Sequence, residues 1–121
     1  MARILIVDDD ESIRHLARVV LSRSGHEVII ASSAAEAQRV ADENAPIDLV
    51  LLDLIVPGPP WNDTLSSLQK RRPGATFILS SGNLRANIVF PEEVPADTPF
   101  LQKPYRSEDL IAMVAKTLGT E

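Results

Sequence analysis

The chain contains no cysteine. That excludes disulfides, a thiolate nucleophile and any zinc–thiolate site. No apolar run approaches the length that spans a bilayer. The N-terminus lacks the charged-then-apolar pattern of a signal peptide, so a cytoplasmic location and no membrane partner are expected. There is no Gly-rich phosphate loop of either common type, no internal repeat and no low-complexity tract. Positive charge is in short supply. Twelve Lys and Arg stand against 17 Asp and Glu, a net charge of −5, the wrong sign for a nucleic-acid-binding surface. The two histidines, His15 and His26, are far apart and have no partners at ligand spacing. Both read as surface residues.

What remains is a chain of 121 residues, 45% apolar and 24% charged. That suits one folded domain over 1–121 with a core of its own. Short apolar runs alternate with helical patterns. RILIV (3–7), EVII (27–30), DLVLLD (48–53), TFILS (76–80) and PFLQ (99–102) read as strands. Between them, Ile13, Leu16, Ala17, Val20 and Leu21 recur at helical spacing, with Gly25 as a stop. A second helix is expected over 32–44, with Ser33 and Glu36 spaced as a capping box. A weaker one is expected over 63–72, stopped by Pro73-Gly74. The last spans 107–118, with Ser107 as N-cap and Leu110, Val114 and Leu118 on one side. Lys70, Arg71 and Arg72 read as a solvated helix end that complements the dipole. Pro91, Pro95 and Pro99 forbid a full helix over 83–99 and leave room only for a short one near Leu84 to Val89.

Strands that are apolar on both faces and alternate with helices imply a mostly parallel sheet covered on both sides. In such sheets, ligands bind beyond the carboxyl ends of the strands. The residues found there are chemically coherent. Asp8, Asp9 and Asp10 follow the first strand, Asp53 ends the third, Ser80-Ser81-Gly82 end the fourth, and Lys103-Pro104 follow the fifth. Clustered carboxylates need protons or a cation. An oxygen-only donor set suits a hard ion: magnesium, with manganese or calcium as alternatives. An anion fits between such a metal and the lysine, an arrangement that serves phosphoryl transfer, with one carboxylate as a candidate nucleophile. An aspartate after a strand also serves simply as a helix N-cap, which is the reading given to Asp10 or Glu11.

The segments ILIVDDDESIR, DLVLLDLIVPG, ILSSG and FLQKPY, in this order, resemble a response-regulator receiver domain of two-component signalling. The resemblance implies a doubly wound, flavodoxin-like α/β fold with a five-stranded parallel sheet in order 2-1-3-4-5. Helices lie on both faces, the fourth here being short or irregular. It implies that Asp53 is the phosphoacceptor and that Asp8, Asp9 and Asp53, with the backbone carbonyl of Ile55, hold Mg2+ (or Mn2+). Ser81 would follow the phosphoryl group, Lys103 would pair with its oxygens, and the bond to Pro104 would be cis. Phe100 falls at the switch aromatic. The implied partners are a sensor histidine kinase or phosphotransfer protein and a downstream protein, and the chain is no enzyme beyond its own phosphorylation and dephosphorylation. SSGN and FLQKPY look most like receivers attached to, or working beside, histidine kinases.

Two features depart from that pattern. Trp61 occupies a position where the family places Gly, after a stiff PGPP stretch. The 83–99 segment also falls where a helix helps to form the signalling and dimerising face, which puts the standard dimer in doubt. A phosphorylation-independent interaction module is therefore the alternative. An aspartyl-phosphate hydrolase is disfavoured because Leu54-Ile55 supplies no general acid or base.

Overall fold

The computed structural model describes residues 2–43 and 46–119. Five strands, β1 (Arg3–Val7), β2 (Glu27–Ala31), β3 (Leu49–Asp53), β4 (Thr76–Ser81) and β5 (Phe100–Gln102), form one sheet. All pairings are parallel, in the order β2-β1-β3-β4-β5. Four α-helices connect or follow them: α1 (Glu11–Arg23), α2 (Ala34–Ala41), α3 (Trp61–Arg71) and α4 (Ser107–Leu118). No described helix is long and apolar enough to cross a membrane.

The period-two alternation of strand side chains divides the core between the two faces. Leu5, Val7, Val50, Leu52, Phe77 and Leu79 face Ala37, Val40, Leu65 and Leu68 of α2 and α3. Ile4, Ile6, Leu49, Leu51, Ile78 and Leu101 face Ala17, Val20 and Leu21 of α1 and Leu110 and Val114 of α4. Central β3 is buried at all five positions, which is why its sequence reads as an unbroken apolar run ending in one acid. Each fully buried Leu or Ile contributes about 1.5–3 kcal/mol relative to exposure.

Several element boundaries move, each for a local reason. The second helix begins at Ala34 and ends at Ala41, short of the expected 32–44; Asn44 lies outside the described residues. Ser33 Oγ accepts the Glu36 N–H at 3.2 Å, but Glu36 Oε1 accepts from Ser32, not Ser33, at 3.0 Å. The box is thus offset by one residue. The third helix starts at Trp61, two residues early, because the Pro60 carbonyl accepts the N–H groups of Asp63 and Thr64. It ends at Arg71. The N-cap of α4 is Arg106 rather than Ser107, and Asp109 accepts the Arg106 N–H at 3.2 Å. Strands β2 and β4 each extend one residue further, to Ala31 and Ser81, while β3 and β5 start one residue later, at Leu49 and Phe100.

The Lys70–Arg72 cluster is not simply a solvated end. Arg71 pairs with Asp42 at 2.9 Å, and Arg72 donates to the carbonyls of Ala41 (2.9 Å) and Glu43. The carbonyls that end α2 have no helical partners of their own, and the end of α3 supplies donors to them. Of the three, only Lys70 is exposed without such a role.

Two loops leave the carboxyl edge of the sheet towards α3. In the first, Pro57 O accepts the Ala34 N–H at 3.0 Å, and Gly58 sits at φ +133°. A Cβ there would meet Ala34 Cβ at 2.7 Å, so only glycine fits. In the second, residues 83–99 contain one 3₁₀ turn, Arg85–Asn87, and no α-helix. This segment is nonetheless held down. The Arg85 guanidinium lies 3.8 Å over the Phe90 ring and donates to Ala96 O at 2.9 Å. Phe90 packs against Trp61 with ring centroids 5.3 Å apart. Val94 is buried in the α2–α3 side of the core.

Candidate functional site: an acidic cluster closed by a lysine

Because the sheet is parallel, every strand delivers its last residue to the same edge. Asp8 follows β1 and Asp53 ends β3; each is 3% exposed. Asp9, beside them, is exposed. The three carboxylates each offer an oxygen within 4.8 Å of the others. Lys103, just past β5, reaches across: its Nζ lies 2.9 Å from Asp53 Oδ2 and 3.1 Å from Asp8 Oδ2. Three acids against one ammonium leave the cluster short of positive charge. The all-oxygen donor set, open to solvent at Asp9, fits a hard divalent cation.

Local backbone contacts aim these groups. Asp8 Oδ1 accepts the Asp10 N–H at 2.9 Å, and the Asp10 carboxylate caps α1 through Ser12 and Ile13 at 2.8 and 3.3 Å. Asp10 is therefore a cap and stands apart from the cluster. Arg14 Nη1 donates to the Asp8 carbonyl at 2.9 Å. Asp53 Oδ1 accepts the Ile55 N–H at 3.1 Å. Burial raises the Asp8 carboxyl above its ordinary range; nearby Asp53 adds to this, while the Asp10 N–H and Lys103 oppose it. Burial pulls the Lys103 ammonium down, but its hydrogen bonds to Asp53 and Asp8 outweigh that and leave it raised. Tyr105, 7% exposed, is pushed up to about 12 by burial, with the Asp8 charge adding to the shift.

Ser81, at the end of β4, is 1% exposed, and its Oγ accepts the Asn83 N–H at 3.1 Å. The Lys103–Pro104 bond is cis. Ile55 is 62% exposed at the rim. Phe100 lies at the start of β5, paired with Leu79, half-buried against the α2–α3 side of the core. It is therefore not a member of the charged cluster. His15 is exposed, but His26 is not a free surface residue: its Nδ1 accepts the Ala2 N–H at 3.1 Å, and burial lowers its pKa. Trp61 packs on Phe90, as described above. Arg14 and Gln102 contact the site residues through backbone carbonyls; Arg14 lies inside α1, and Gln102, though it ends β5, carries no acid, hydroxyl or ammonium to single it out in the sequence.

Known proteins share this sequence pattern and fold. The profile of the response regulator receiver domain matches residues 4–115. The chain is 31% identical over 118 residues to the transcriptional regulatory protein CpxR of Escherichia coli (strain K12), covering 98% of this chain and 50% of CpxR. It is 33% identical over 117 residues to the DNA-binding transcriptional regulator NtrC of Bradyrhizobium sp. (strain RP501 Parasponia), covering 96% of this chain and 24% of NtrC. The chain thus spans half or less of the length of these relatives. Among solved structures, a CheY-like receiver domain protein from Methanospirillum hungatei JF-1 superposes with a TM-score of 0.86 at 32% identity, covering 98% of this chain and 94% of that one. The receiver domain of the hybrid histidine kinase CckA superposes with a TM-score of 0.80 at 31% identity, covering 96% and 98%. Sequence and fold agree over nearly the whole chain, which belongs to the response regulator receiver domain family.

Proposed function

We propose that this domain is a phosphoacceptor switch in which Asp53 takes a phosphoryl group from the phosphohistidine of a sensor kinase or phosphotransfer protein. The observation behind this reading is the Lys103 ammonium bridging buried Asp8 and Asp53 beside exposed Asp9. A Mg2+ ion (or Mn2+), held by Asp8, Asp9, Asp53 and the Ile55 carbonyl, would neutralise the carboxylates and the oxygens of the incoming group.

The chain's own residues account for the rest. An Asp53 carboxylate oxygen attacks phosphorus, an O–P bond forms, and the P–N bond to the donor imidazole breaks with its electron pair staying on nitrogen. Lys103 already holds Asp53 and is placed to follow the charge onto the phosphoryl oxygens. The Ser81 hydroxyl turns to donate to one of those oxygens, giving up the Asn83 N–H that it now accepts. Phe100, at the start of β5, and the loop that leads into it repack in response. The result is a population shift driven by contacts that exist only with phosphate bound. Lysine and serine act here through charge and positioning, the terms that dominate phosphoryl transfer.

The test is intact mass after incubation with acetyl phosphate, with and without Mg2+, alongside Asp53→Asn. A magnesium-dependent gain of one phosphoryl group, absent in the variant, is expected. No gain, together with failure to bind beryllium fluoride, would favour a module that works through constitutive contacts, with the clasped 83–99 segment as its distinctive surface.

A further inference from the structure

The β4–β5 ladder is short, and its last register pair is Ser81 with Gln102. The two groups that must address one phosphoryl oxygen set, the Ser81 hydroxyl and the Lys103 ammonium, therefore sit where strand pairing stops. The Lys103 N–H still donates to Ser81 O at 2.9 Å. Beyond that point the Gln102 side chain continues what the sheet no longer provides. Its Nε2 lies 2.9 Å from Gly82 O, 3.2 Å from Lys103 O and 3.3 Å from Ser81 O. A carboxamide nitrogen has two N–H donors, so three carbonyls compete for them. All three belong to the two loop roots that bear the serine and the lysine.

We propose that Gln102 is a positioning residue for phosphoryl transfer: its carboxamide fixes the Ser81–Gly82 peptides relative to Lys103, so that hydroxyl and ammonium converge on one group. This rests on the reading of Asp53 as phosphoacceptor. Gln102 touches neither the phosphoryl group nor the acids; it acts through the backbones of Ser81, Gly82 and Lys103. A small misplacement of such groups is expensive, since a shift of about 1 Å can cost on the order of 100-fold in rate.

The experiment compares wild type, Gln102→Met and Gln102→Lys in phosphorylation by acetyl phosphate, followed by intact mass across a Mg2+ titration. Methionine keeps length and removes the donors. Lysine is one methylene longer, but its flexible stem can fold back to the same carbonyls and it offers three donors, and about 0.5 M salt screens its added charge. Gly82 is exposed, so water can take its carbonyl and the fold tolerates either change. The maximal rate for Gln102→Met should fall about tenfold, short of the 100-fold that a full ångström can cost. The Mg2+ midpoint should stay where it is, because no metal-binding carboxylate is disturbed. Gln102→Lys should recover most of the rate. A wild-type rate in Gln102→Met overturns the proposal. So does a Mg2+ midpoint that moves with the rate, or a Gln102→Lys no faster than Gln102→Met. If wild type itself gains no phosphoryl group, the phosphoacceptor reading fails, and this inference falls with it.

Discussion

At the scale of single residues, Asp8 and Lys103 hold opposite places in the energetics of the site. Folding buries the Asp8 carboxyl and raises its pKa, so its ionised form costs stability at neutral pH. Stability from this group rises as pH falls through the folded pKa, down to the unfolded value near 3.8. Asp8→Asn should therefore raise Tm in magnesium-free buffer while slowing phosphorylation. Lys103→Met should lower Tm and also slow phosphorylation, since it strips the ammonium from two buried acids; a loss of roughly 1–3 kcal/mol is expected, below the 3–5 typical of fully buried pairs because the lysine stays partly wet. Denaturant unfolding of the two variants checks both signs, and a stabilised Lys103→Met would refute the argument. Ile55 offers a third test. It is exposed at the rim and cannot hydrogen-bond an attacking water. Ile55→Asn should shorten the phosphate lifetime several-fold, and an unchanged decay would count against that role. Asp8, Asp9, Asp53, Ser81 and Lys103 stood out in the sequence because each is an acid, a hydroxyl or an ammonium at or just past the end of an apolar strand. Gln102 did not. A glutamine on an edge strand looks like ordinary polar surface until the partner loop is seen beside it.

At the scale of elements, the sequence announces strands and helices through periodicity but is silent on which helix ends meet. The Arg71–Asp42 pair and the Arg72 bonds to the end of α2 join parts of the chain 29 to 31 positions apart. No local pattern encodes them, so a basic tail looked solvated. The early start of α3 was hidden for a different reason: a proline carbonyl caps it, and backbone caps leave no residue signature. Prolines did rule out a fourth long helix correctly, yet gave no hint of what holds 83–99 in place. That role falls to the Arg85–Phe90–Trp61 stack, which joins the two loops leaving the site. An aromatic pair adds about 0.5–1.5 kcal/mol, and an exposed cation–π contact about 0.5–1. Phe90→Ala removes both and should cost about 1–3 kcal/mol once lost burial is included. Trp61 is the single tryptophan, so its emission reads the stack directly. It should move to longer wavelength in Phe90→Ala as the indole gains water. Unchanged emission would mean the stack does not shield Trp61.

At the scale of the whole molecule, the alkaline limit of stability should be set by groups around one buried corner. Tyr105 is the only tyrosine. Its hydroxyl is buried without a hydrogen-bond partner, and its pKa moves from 10.0 to about 12. The folded state therefore holds the phenol proton more tightly than the unfolded chain does. Stability from this source is complete below pH 10 and drains away as pH rises from 10 towards about 12. At about 1.4 kcal/mol per pKa unit, the loss is roughly 2–3 kcal/mol. Lys103, also raised, from 10.5, adds a loss of the same sign as pH rises above that value. Tyr105→Phe keeps the ring packed against Leu110 and its neighbours in the α1–α4 side of the core, and discards a hydroxyl that bonds to nothing. It should be at least as stable as wild type at pH 7. Above pH 10 its unfolding free energy should fall less steeply, with the Lys103 share remaining. Urea unfolding at several pH values from 8 to 12, with tyrosinate absorbance recorded on wild type, measures both effects. Parallel alkaline slopes for the two proteins, or tyrosinate appearing near pH 10 before unfolding, would place the phenol in water rather than in the core.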